Sequence, residues 1–105
     1  MYSTYRRRRG AQVPLSSKER RELAARGHHL KASVTLPTEV LADHVRQVRN
    51  AFAGGDLVKI RIRGEDRAAC ERAVADVADR VPCQIVQRVG RVVLLYQPKE
   101  DSKRP

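Results

Sequence analysis

From Asp56 to Arg63 apolar and basic residues alternate, with Val58, Ile60 and Ile62 on one side and Leu57, Lys59, Arg61 and Arg63 on the other. A period of two marks a strand with one face in a core. Here the second face is cationic. Such a strand needs neighbours that extend the sheet and helices that cover its apolar side, and the flanking sequence supplies both. Leu41, Val45, Val48 and Phe52 recur at helical spacing behind Pro37-Thr38, and Gly54-Gly55 stops that helix. Cys70, Ala73, Val74, Val77 and Val81 form a second helical stripe. Glu65 and Asp66 place negative charge at its exposed amides, and Pro82 ends it.

Three further segments complete the pattern. Ser16 caps a helix that Glu19 closes in a capping box, and Gly27 stands where that helix should stop. Leu30, Ala32, Val34 and Leu36 alternate with Lys31, Ser33 and Thr35, which predicts a strand. Cys83 to Arg88 and Arg91 to Tyr96 are β-rich runs about Val89-Gly90, a hairpin. The predicted order is α-β-α-β-α-β-β. Strands joined through helices run parallel, whereas the final hairpin adds an antiparallel strand, so the fold class is α/β with a four-stranded mixed sheet. Helices with single apolar stripes cover one face, giving a two-layer sandwich whose basic face stays open.

Charge divides the chain. Its 105 residues suffice for one domain and carry a formal net charge of +10. Nine basic and two acidic residues fall in Met1 to Lys31, against 13 and 10 in the rest. Residues 1–14, with Arg6-Arg7-Arg8-Arg9 and almost nothing apolar, read as a flexible basic arm; 15–98 is the folded domain; 99–105, beyond Pro98, is a charged tail. With 41% hydrophobic but only 4% aromatic residues, the core is built from Val, Leu, Ile and Ala. No apolar run approaches the roughly 20 residues that span a bilayer, and no hydrophobic segment follows the basic start. The expectation is a soluble, cytoplasmic monomer with no membrane partner, and the field of a +10 chain favours polyanions.

Beyond pattern, the residues themselves resemble a family. His28-His29-Leu30-Lys31 is similar to the segment leading into the first strand of YhbY-like CRM domains (chloroplast RNA splicing and ribosome maturation). Asp56-Leu57-Val58-Lys59-Ile60-Arg61 resembles that family's Glu-Leu-Ile-Lys-Val-Lys strand, with Glu65-Asp66-Arg67 at the following helix start. Val89-Gly90-Arg91-Val92-Val93-Leu94-Leu95-Tyr96-Gln97-Pro98 looks like its closing hairpin. The resemblance implies a fold similar to the C-terminal domain of translation initiation factor three. It also implies binding to structured RNA, above all ribosomal RNA precursors of the large subunit. One departure stands out. Where the family carries a Gly-x-x-Gly loop after the first strand, this chain has Pro37-Thr38-Glu39-Val40, with no glycine and a carboxylate in the path of an incoming phosphate.

The candidate RNA-binding residues are therefore Arg6, Arg7, Arg8 and Arg9 on the arm, Lys18, Arg20, Arg21 and Arg26 on the first helix, and Lys31, Lys59, Arg61 and Arg63 on the sheet. His28 joins them through the family match. Each charge run also has a plainer reading as a solvated surface. His28 and His29 lack the cysteine or carboxylate companions of a metal site, Cys70 and Cys83 read as packed thiols, and Tyr96 reads as core. No nucleophile elbow, phosphate-cradling loop or carboxylate pair is apparent, so neither an enzyme nor a cofactor is expected. A protein-interaction module that keeps the fold with little RNA affinity is the alternative. DNA binding ranks third, for want of a helix-turn-helix or zinc-finger pattern.

Overall fold

The computed structural model describes residues 15–98, so the expected basic arm and charged tail lie outside the described residues. Helix α1 (Ser17–Gly27) leads to strand β1 (Val34–Pro37), helix α2 (Ala42–Phe52), strand β2 (Leu57–Arg63), helix α3 (Arg67–Arg80) and the hairpin β3 (Gln84–Val89) and β4 (Val92–Tyr96). The element order is the predicted one. The sheet order is β1-β2-β4-β3, with β1 and β2 parallel and β4 inserted antiparallel between β2 and β3. Both helical connections thus join parallel strands, as an α/β fold with a mixed sheet requires.

The main core lies under α2 and α3. Val45, Val48 and Phe52 of α2 and Cys70, Ala73, Val74 and Val77 of α3 pack with Val34, Leu36, Val58, Ile60, Ile62, Val93 and Leu95 from the sheet. Helix α3 begins as the sequence predicts, with the Asp66 side chain accepting from the Ala68 amide at 3.1 Å. Helix α2 begins later than predicted. Its N-cap is Leu41, 54% exposed, and it is Val40 that is buried. Val40 and Val45 occupy the N′ and N4 positions of a hydrophobic staple, and the Leu41 amide donates to His44 Nδ1 at 2.9 Å. Strand β1 is also shorter than predicted. The Leu30 amide donates back to the Gly27 carbonyl in a turn after α1, and only Ser33, donating to the Lys59 carbonyl, begins to follow β2.

Helix α1 packs on the opposite face of the sheet. Leu23 meets Val86 and Leu94 in a separate cluster that Leu15, Ala24, Leu57 and Tyr96 border, so α1 covers part of the face expected to stay open. Its start carries the predicted capping box: Ser16 Oγ accepts from the Glu19 amide at 3.0 Å, and Glu19 Oε1 accepts from the Ser16 amide at 2.9 Å. Its end does not use glycine as predicted. The C-cap His28 is right-handed, and Gly27 serves instead as a contact point, since a Cβ there would come within 2.7 Å of Leu94 Cδ1. The hairpin turn is Gly90-Arg91, one residue beyond the predicted centre. Gly90 has φ +61° and no other described residue is left-handed, the signature of a type II′ turn.

Candidate nucleic-acid interface

Alternation along β2 sends Val58, Ile60 and Ile62 into the main core, so Lys59, Arg61 and Arg63 must leave on the other face. Same-face neighbours on a strand stand about 6.6 Å apart, so the three cations form a straight row. Helix α1 crosses the Leu57 end of this face and stops short of the other. Lys59 is half-buried opposite Leu94, whereas Arg61 and Arg63 are exposed beside Thr35 and Pro37 of β1. None of the three forms an ion pair with a described carboxylate. Lys18 and Arg21 on α1, and Lys31 in the link to β1, are likewise exposed without such a pair.

Other candidates have structural employment. Arg20 donates to the carbonyls of Ile85 at 2.9 Å and Val86 at 3.2 Å, where β3 is irregular between Ile85 and Gln87. Irregular pairing leaves carbonyls outside the ladder, and the guanidinium satisfies them while pinning α1 to the hairpin. Arg26 donates to Asp56 Oδ1 at 2.7 Å and so has a carboxylate partner. His28 is exposed and meets the edge of His29, with ring centroids 5.8 Å apart. Among the described residues no group of three or more His, Cys, Asp or Glu side chains is placed to hold a metal. Both cysteines are buried, with Cys70 Sγ 3.7 Å from the Gly64 carbonyl, and Tyr96 is half-buried in the α1 cluster. Arg6, Arg7, Arg8 and Arg9 lie outside the described residues.

Three arginines escaped the sequence reading. Arg67 opens α3, Arg88 lies near the end of β3 and Arg91 sits in the turn, and together they border a cleft of about 680 Å³ between α3 and the hairpin. The antiparallel return of β4 brings Arg91 beside the end of β2, where the Ile62 amide donates to the Arg91 carbonyl at 2.9 Å. The cleft borders the C-terminal end of β2, on an edge at which open α/β sheets commonly bind ligands. On the same edge the loop of Thr38 to Leu41 carries Glu39, exposed.

The CRS1 / YhbY (CRM) domain pattern matches residues 15–97, nearly the whole described chain. The protein belongs to the CRM domain family. A Haemophilus influenzae protein named "RNA-binding protein" is 29% identical over 90 residues, covering 85% of this chain and 91% of its own. CRS2-associated factor 1, chloroplastic, of Zea mays is 32% identical over 84 residues, but the match takes in only 12% of that much longer protein. The solution structure of SAV1595 from Staphylococcus aureus superimposes with a TM-score of 0.71 at 14% identity, covering 82% of this chain and 91% of the other, which establishes the shared fold. These CRM relatives are named for RNA binding and for association with another factor, and not for catalysis.

Proposed function

We propose that this CRM protein binds RNA through the part of its second sheet face that α1 leaves exposed, with Lys59, Arg61 and Arg63 on the phosphates and Lys18, Arg21 and Lys31 extending the field. The observation that carries this reading is the row of cations on β2 without a carboxylate partner among the described residues. Unpaired cations gain the full release of condensed counterions on meeting a polyanion, whereas paired ones such as Arg26 first lose a partner. The arm of Arg6 to Arg9 adds sequence-independent affinity. His28 flanks the footprint. The name of the Haemophilus relative supports RNA as the ligand class.

The RNA is ribosomal, a precursor of the large subunit, as the resemblance to YhbY-like domains implies. The protein acts in the cytoplasm as a monomer. Its sheet edges favour that state: β1 has four residues and ends in Pro37, and β3 is irregular at Ile85 to Gln87, features that discourage edge pairing. Among the described residues no helix is long and apolar enough to cross a membrane. Sedimentation of cell lysate in a sucrose gradient tests the assignment. Co-migration with large-subunit precursors, abolished by ribonuclease, is expected. Migration only with a protein partner, indifferent to ribonuclease, would favour the interaction-module reading, which draws on the exposed Glu39 and Leu41 after β1.

A further inference from the structure

The cleft between α3 and the β3–β4 turn has no task in the phosphate-binding face, yet its chemistry is specific. At about 680 Å³ it falls within the size of small-ligand sites, roughly 300–1,000 Å³. Cys70 and Val74 give it an apolar wall, and Arg67, Arg88 and Arg91 line it together with a single carboxylate, Glu71. Glu71 Oε2 lies 3.6 Å from Arg67 Nε and 3.9 Å from the Arg88 guanidinium. Charge-assisted hydrogen bonds close to about 2.7–2.9 Å, so the carboxylate is oriented by its neighbours and retains acceptor capacity. Arg61 and Val92, which belong to the basic face, also line the cleft, so the two surfaces meet around the hairpin.

An apolar wall beside guanidinium planes suits an unstacked nucleobase, with the arginines near its phosphate. The carboxylate selects among bases. Guanine presents two adjacent N–H donors, at N1 and N2, which match the two oxygens of Glu71. Adenine and cytosine set one amino donor beside a ring-nitrogen acceptor, and uracil sets one N–H between two carbonyls, so each turns an acceptor toward the carboxylate. We propose that this cleft accepts a single unpaired guanine from an RNA strand that continues off the basic face. The inference rests on the RNA-binding reading above.

The test compares a blunt RNA hairpin with the same hairpin extended by a short overhang of guanine, adenine, cytosine or uracil, by fluorescence anisotropy at fixed salt. The full chain should bind the guanine overhang at least about five-fold more tightly than the others. Glu71→Gln should abolish that preference, while the lost negative charge leaves blunt-hairpin affinity unchanged or higher. Arg67→Ala with Arg88→Ala should remove the gain from any overhang. These side chains are exposed, and unchanged circular dichroism confirms the fold of each variant. Equal affinity for all four overhangs, or a guanine preference that survives Glu71→Gln, overturns the inference while blunt-hairpin binding keeps the RNA reading intact. Failure of every RNA to bind overturns both.

Discussion

Replacing Gly27 and Leu94, singly and together, probes how α1 is held against the sheet. Leu94 is 3% exposed and meets Leu23 and Val86, so Leu94→Ala should cost about 2–3 kcal/mol, the low end of the range for such truncations because the cluster is small and lies at the rim. Gly27→Ala sets two effects against each other. Alanine gains about 1 kcal/mol of helix propensity, but its Cβ would overlap the Leu94 methyl carbons, an overpacking worth about 1–3 kcal/mol. The net single effect is a destabilisation of up to about 2 kcal/mol. In the double variant the clash vanishes and the propensity gain remains, so the two changes together should cost about 1–3 kcal/mol less than their sum. Urea denaturation at constant m-value measures all four corners of the cycle. Additivity within about 0.5 kcal/mol would show that Gly27 and Leu94 do not touch. The packing assigned to α1, and with it the placement of Lys18 and Arg21 beside the sheet, would then be wrong.

Two further perturbations test local parts of the account. Ser16→Ala removes the hydroxyl of the capping box and should lower stability by about 1 kcal/mol in thermal or urea unfolding, with no loss if α1 begins elsewhere. Gly90→Ala forces a side chain onto a φ of +61° and should cost about 1–2 kcal/mol. Since nothing lies within 4 Å of that Cβ, the penalty is conformational, and Gly90→Asn should recover part of it.

Much of this architecture is legible in the sequence because local signals and tertiary packing agree. The Val58-Ile60-Ile62 alternation, the capping box at Ser16 and the stripe from Cys70 to Val77 each point to the element observed. The misreadings share a physical cause: a residue whose type matches a local rule obeys a tertiary one instead. Leu41 fits the helical stripe, yet the chain buries Val40 and lets Leu41 cap the helix from solvent. Gly27 looks like a helix stop but is small because Leu94 crosses it. The candidate site was legible only in part for the same reason. Periodicity places Lys59, Arg61 and Arg63 on one face, but no sequence rule shows that Arg20 would be drawn to the carbonyls of β3 or Arg26 to Asp56. Nor does it show that inserting β4 beside β2 would gather Arg67, Arg88 and Arg91 into one cleft with Glu71.

The dependence of RNA affinity on salt tests the central claim most directly. Each phosphate neutralised contributes about 0.7–0.9 to the slope of log K against log salt. Lys59→Gln, Arg61→Gln and Arg63→Gln combined should therefore reduce the slope by about 2–3 relative to the full wild-type chain, with the fold unchanged. An identical slope in the triple variant would contradict an RNA interface on this face of β2.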